Sequence, residues 1–168
     1  MRVPVPGVIH TEIEHHPDVR GSFNEIFRVG DLAVPLVQAN HSRSIAGVLR
    51  GLHYHRRQGD LWYVAGGSLR VGLADLRSPP SVNRAIVDLS SDSPATLYIP
   101  PGVAHGFYAV TDCDLIYWVT ALYDASDEFG VAWDDEVLAV DWGVSDPILS
   151  ERDRSNPPLD WGDIPSFS

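Results

Sequence analysis

Residues 47–67 read Gly47-Val48-Leu49-Arg50-Gly51-Leu52-His53-Tyr54-His55-Arg56-Arg57-Gln58-Gly59-Asp60-Leu61-Trp62-Tyr63-Val64-Ala65-Gly66-Gly67. Two runs suited to β-strands flank a short polar turn. Side chains on a strand alternate with a period of two, so His53 and His55 share a face. Asp60, past the turn, comes back on the neighbouring strand. Downstream, Pro100-Pro101-Gly102-Val103-Ala104-His105 places a third histidine directly after a turn. Three imidazoles and a carboxylate converging inside a barrel suit zinc, iron or manganese. His53, His55, Asp60 and His105 are therefore one candidate site.

Working outward, short alternating or β-branched runs occupy 7–13, 23–28, 35–40, 61–65, 68–74, 85–89, 96–99, 106–110 and 114–121. Glycine, proline and serine turns separate them, among them Ala65-Gly66-Gly67-Ser68, Arg77-Ser78-Pro79-Pro80 and Pro100-Pro101-Gly102. Many short strands at regular spacing predict an all-β sandwich or jelly roll. Segments 42–46 and 144–149 each predict one short turn of helix. With no internal repeat and no low-complexity linker, 1–168 reads as a single domain. Its tail, 155–168, is rich in proline and aspartate and is expected to wrap the surface, anchored by Trp161 and Phe167.

Composition narrows the chemistry. The 168 residues carry 23 acidic and 12 basic side chains, for a formal net charge of −11. All twelve basic residues are arginine, so a lysine Schiff base and a Walker-type phosphate loop are both excluded. An acidic chain also lacks the basic footprint of sequence-independent nucleic-acid binding. The single cysteine, Cys113, forms no intramolecular disulfide, and no apolar run nears the ~20 residues of a membrane span. A cytoplasmic protein with no membrane segment is expected. His10, His15, His16 and His41 read as structural histidines, and Tyr117, Trp133 and Trp142 as packing residues of the core and entrance.

The spacing G-x5-H-x-H-x4-D-x6-G, followed by P-x-G-x2-H, resembles the two cupin motifs, with aspartate where glutamate is usual. That resemblance implies a cupin-type jelly roll, a double-stranded β-helix barrel with short peripheral helical turns. A narrower resemblance covers 18–153. Asp18-Val19-Arg20-Gly21-Ser22-Phe23-Asn24-Glu25, Gln38-Ala39-Asn40-His41-Ser42, Val48-Leu49-Arg50-Gly51-Leu52-His53-Tyr54 and Pro100-Pro101-Gly102-Val103-Ala104-His105-Gly106-Phe107 occur in that order. Leu122-Tyr123-Asp124-Ala125-Ser126-Asp127-Glu128, Ala132-Trp133-Asp134-Asp135 and Leu149-Ser150-Glu151-Arg152-Asp153 follow. Together these seven motifs resemble the dTDP-4-dehydrorhamnose 3,5-epimerases.

The resemblance implies an isomerase that inverts carbon 3, carbon 5 or both in a dTDP-4-keto-6-deoxyhexose. A ketone acidifies the neighbouring C–H; a base removes that proton and an acid returns one to the other face. By resemblance His53 is the base, Asp153 its carboxylate partner and Tyr123 the acid. Histidine titrates near neutrality, and a phenol with an ordinary pKa of about 10 holds its proton until the enolate forms. None of these roles requires a metal or cofactor. Arg20 and Arg50 suit the diphosphate, Phe23 suits stacking on thymine, and Glu25, Gln38 and Asn40 supply hydrogen bonds. His105 is expected to bond substrate or brace His53. The resemblance also implies a homodimer in which the Arg20–Glu25 segment reaches the partner's site.

The chain departs from that family after Tyr54. A longer loop and the pattern Q-x-K-L are expected there, whereas this chain has a shortened loop, His55 in place of glutamine and Asp60 in place of the lysine. A carboxylate where a cation supports the enolate reverses the local charge. Two other readings use the same residues: a metal-dependent cupin enzyme built on His53, His55, Asp60 and His105, and a non-catalytic sugar-nucleotide binder.

Overall fold

The computed structural model describes residues 2–167. β-Branched and aromatic runs between glycine and proline breaks form twelve strands among them. In chain order these are β1 (Ile9–Glu12), β2 (His16–Asp18), β3 (Gly21–Phe23), β4 (Gln38–Ser44), β5 (Leu49–Tyr54) and β6 (Asp60–Gly66). The remainder are β7 (Ser68–Asp75), β8 (Arg84–Ser90), β9 (Ala95–Ile99), β10 (Val103–Ala109), β11 (Cys113–Val119) and β12 (Phe129–Gly130). A 3-10 turn at Ala125–Asp127 and the four-residue helix α1 (Glu151–Arg154) complete the set.

Two five-stranded sheets, ordered β1-β9-β6-β11-β4 and β12-β5-β10-β7-β8, make the jelly roll, and β2–β3 form a separate hairpin. Every strand pair is antiparallel. Apolar residues on the facing sides fill the sandwich: Val64, Leu97 and Leu115 from the first sheet pack with Val71, Leu73, Val87 and Phe107 from the second. The second sheet is buried on its other face too. Leu49, Leu52, Tyr54, Ala74 and Ala104 meet Val131, Leu138 and Trp142, with Trp161 and Phe167 of the tail packed against them. The Phe167 ring lies edge-on to Tyr54 at 6.4 Å. A sheet covered on both faces explains why β7 and β10 read as near-continuous apolar runs.

Three local expectations differ from what forms. The 23–28 run contributes only the end of β3, because β2 and β3 pair solely from Asp18↔Gly21 to His16↔Phe23. Ser42 to Ser44 is strand rather than helix, since β4 pairs with β11 from Val119↔Gln38 to Cys113↔Ser44 and the ladder satisfies that backbone. No helix forms at 144–149. There, Ile148 donates to Gly47 O at 2.8 Å and accepts from Leu49 N at 2.9 Å, and α1 begins only after Ser150.

Candidate active site

A cavity of about 280 Å³ opens beside the sandwich core, near the lower end of small-molecule sites. β5 supplies Arg50 and His53 to its wall, which strict alternation would send to opposite faces. The register resolves this: Phe107 pairs with Arg50 and His105 with His53, so two steps on β10 match three on β5. The extra residue is a β-bulge at Gly51–Leu52, and it turns both side chains into the cavity while Leu49, Leu52 and Tyr54 stay in the second core. Glycine is required on both strands here. Gly51 has φ of +132°, and a Cβ on it would stand 2.7 Å from Gly106 Cα; one on Gly106 would stand 2.5 Å from Arg50 O.

His53 Nε2 lies 2.6 Å from Asp153 Oδ1 across 100 residues of sequence. A carboxylate only accepts, so Nε2–H donates and Nδ1 is left as the basic nitrogen. Asp153 is itself fixed by the start of α1. The Ser150 hydroxyl accepts from Asp153 N at 3.1 Å and donates to Oδ2 at 2.9 Å, so the N-cap spends one carboxylate oxygen and leaves the other for His53. Burial acts to raise the Asp153 carboxyl. Its hydrogen bond to His53 and the charge there, helped by Ser150 and Arg152, hold it net below the usual carboxylate value. This is the arrangement of a base with an orienting carboxylate.

A second group sits on the same cavity. His55 Nδ1 is 2.7 Å from Asp127 O, and His105 Nδ1 is 2.9 Å from Val103 O. Both partners are carbonyls, so each Nδ1 carries the hydrogen and each Nε2 the lone pair. Asp60, also buried, accepts from Gln58 Nε2 at 2.9 Å and Trp62 Nε1 at 3.2 Å, and its Oδ2 lies 3.7 Å from His105 Nε2. Arg56 and Arg57 do not pair with it. Their backbone N–H groups bond the buried Asp127 carboxylate, and the Arg57 guanidinium bonds Asp124. Burial pushes the His105 imidazole down to about 4, against the pull of the Asp60 charge.

Gln38, Asn40, Arg50, His53, His55, Asp60, His105 and Tyr123 all line this cavity. Gln38 Nε2 donates to Asn40 Oδ1 at 2.8 Å, and Arg50 Nε to Ser44 Oγ at 3.0 Å. Tyr123 is 68% exposed at the rim, its hydroxyl 3.4 Å from Glu128 Oε2. Arg20, Phe23 and Glu25 are not brought there within one chain. They lie on and after the β2–β3 hairpin, where Arg20 pairs with Asp18, Glu25 pairs with Arg28, and Phe23 and Glu25 border a different concavity. The four-residue metal set does not gather either, since His53 is bonded to Asp153 while His55, Asp60 and His105 group without it. Sequence reasoning missed Gln58, Glu128 and Arg152 as wall residues, while Tyr117, expected to pack the core and entrance, packs against the core and also lines the cavity. Gln58 stands two residues before Asp60, and Glu128 and Arg152 stand inside motifs already noted, so their positions carried the signal.

The family model described as dTDP-4-dehydrorhamnose 3,5-epimerase matches residues 2–160. A Methanothermobacter thermautotrophicus dTDP-4-dehydrorhamnose 3,5-epimerase is 39% identical, over 95% of this chain and 93% of its own. Among solved structures, the Legionella pneumophila dTDP-6-deoxy-D-glucose-3,5-epimerase in complex with dTDP-4-keto-L-rhamnose superposes with a TM-score of 0.90 at 30% identity. That match covers 100% of this chain and 97% of the other. NovW, a 4-keto-6-deoxy sugar epimerase of Streptomyces spheroides, gives a TM-score of 0.91 at 30% identity, covering 99% and 92%.

Proposed function

The chain belongs to the dTDP-4-dehydrorhamnose 3,5-epimerase family, and on that premise we propose that it epimerises a dTDP-linked 4-keto-6-deoxyhexose beside the ketone. The observation that carries this reading is the 2.6 Å contact between His53, on the wall of the cavity, and the buried Asp153 behind it. His53 Nδ1 takes the proton next to the carbonyl, and Asp153 holds the tautomer and supports the imidazolium that results. Tyr123 returns a proton to the opposite face of the enolate. Arg50 binds the diphosphate, Gln38 and Asn40 orient the ligand by hydrogen bonds, and His105 shapes the wall beside His53.

The working unit in this proposal is a homodimer. Arg20, Phe23 and Glu25 match the family motif yet lie away from their own cavity, which supports their serving the partner's site, with Phe23 stacking on thymine. Phe23 is 67% exposed, an unusual state for a phenylalanine without a partner. The proposed setting is the cytoplasm, where the single thiol, Cys113, stays reduced.

The decisive experiment incubates the protein with dTDP-4-keto-6-deoxyglucose in deuterated water and follows carbons 3 and 5 by proton NMR. Deuterium is expected at one or both carbons with inversion. Absence of exchange with every dTDP-4-keto-6-deoxyhexose tried sinks the reading.

A further inference from the structure

We propose that His55, Asp60 and His105 form a three-ligand site for a divalent transition-metal cation in the wall of the cavity. Their candidate ligand atoms, one from each residue, all lie within 4.8 Å of one another. The hydrogen-bond accounting sets up the problem. Both imidazoles spend their N–H on backbone carbonyls, at 2.7 Å for His55 and 2.9 Å for His105, so each Nε2 is left as a lone-pair acceptor. The third member is a buried carboxylate, which only accepts. Three lone-pair donors therefore face one another.

The protein relieves this only in part. The Gln58 amide reaches Asp60 Oδ1 at 2.9 Å but His55 Nε2 at a long 3.4 Å, and Asp60 Oδ2 accepts from Trp62 Nε1 at 3.2 Å while facing His105 Nε2 at 3.7 Å. The Arg57 guanidinium is engaged by Asp124 and Asp127, and Arg56 bonds Asp127 through its backbone N–H. A cation would supply the missing positive charge and take up all three lone pairs at once, displacing the long Gln58 contact.

The surroundings match what metal ligands need. A ligating histidine ordinarily gives its other N–H to a carbonyl or carboxylate, which fixes ring and tautomer, and both rings here do so. Two imidazoles with one carboxylate suit zinc, iron(II) or manganese and leave coordination positions open. Ligand atoms about 2.0 Å from a tetrahedral ion stand roughly 3.3 Å apart, so the 3.7 Å His105–Asp60 pair closes by a few tenths of an ångström, while the set as a whole, spread over up to 4.8 Å, must draw in further on binding. Asp127 braces His55, taking its Nδ1–H on a carbonyl and the next two backbone N–H groups on its carboxylate. His53 takes no part, because its Nε2 is committed to Asp153.

When bound, the cation supplies positive charge on the wall where Asp60 replaces a lysine, the kind of charge that stabilises a developing enolate. That role rests on the epimerase reading; the binding site does not. The test therefore measures binding alone. Untagged protein is stripped with chelator, dialysed and titrated with Zn²⁺ by calorimetry, and the metal content is measured after gel filtration. One zinc per chain is expected. Asp60→Asn and His55→Ala should each weaken binding by about 100-fold or more, while His53→Ala should leave it unchanged. Wild-type protein that takes up no stoichiometric zinc overturns the proposal, as does undiminished uptake by properly folded Asp60→Asn and His55→Ala. Loss of uptake in His53→Ala equally overturns the three-ligand assignment.

Discussion

Asp153 has two tasks on two oxygens, capping α1 through Ser150 and orienting His53. Replacing it with asparagine keeps the shape but offers His53 an amide. Deuterium exchange into substrate should then fall by roughly 10²- to 10⁴-fold, measured by NMR at matched enzyme concentration. The same substitution should change acid sensitivity. A carboxyl held below its unfolded pKa contributes stability that is complete above the unfolded value and is lost as pH falls through the folded one. The loss therefore lies at and below the ordinary carboxylate range. Urea midpoints measured from pH 5 down to pH 3 should drop less steeply in Asp153→Asn than in the wild type. Tyr123 separates the two halves of the reaction. Tyr123→Phe keeps the base, so exchange should persist while inverted product is lost. If inversion proceeds at the wild-type rate, Tyr123 is not the acid.

At the scale of elements, the bulge in β5 is what assembles the site, and glycine makes it possible. Gly106→Ala drives a methyl to 2.5 Å from Arg50 O, a backbone atom that cannot swing aside. Destabilisation of about 1–3 kcal/mol is expected, read as a lower urea midpoint, with loss of exchange activity as β5 and β10 separate. Legibility in the sequence follows the same line. The strands and the His53–Asp153 pairing could be read, the first from alternation and the second from motif resemblance. The placement of Arg50 beside His53 came only from that resemblance and not from alternation, because a period-two reading puts residues three apart on opposite faces. Segments 42–46 and 144–149 misled for a related reason. Their local pattern allows a helical turn, but distant partners, β11 for one and Gly47 for the other, claim the backbone. His55 and Asp60 were visible as departures, whereas their mutual geometry depends on the fold of the Asp127 turn, 72 residues from His55.

Over the whole molecule, one chain holds the proposed reacting groups and carries Arg20, Phe23 and Glu25 away from them. If the hairpin serves a partner, two crippled variants should repair each other. Arg20→Ala supplies an intact His53, and His53→Ala supplies an intact hairpin. Mixed one to one and allowed to re-pair, half the dimers are hybrids with one complete site each, giving about a quarter of wild-type activity. A mixture no more active than its parts overturns the exchange of hairpins. The C-terminal cover has a further consequence. Arg152 reaches the cavity, and Asp153 reaches His53, on a segment that crosses the outside of a sheet already sealed by its own sandwich core. Undocking that segment would therefore leave the sandwich core closed, with its histidine in place but no carboxylate behind it. Closure of the barrel and completion of the proposed His53–Asp153 pair are thus separable events in this fold.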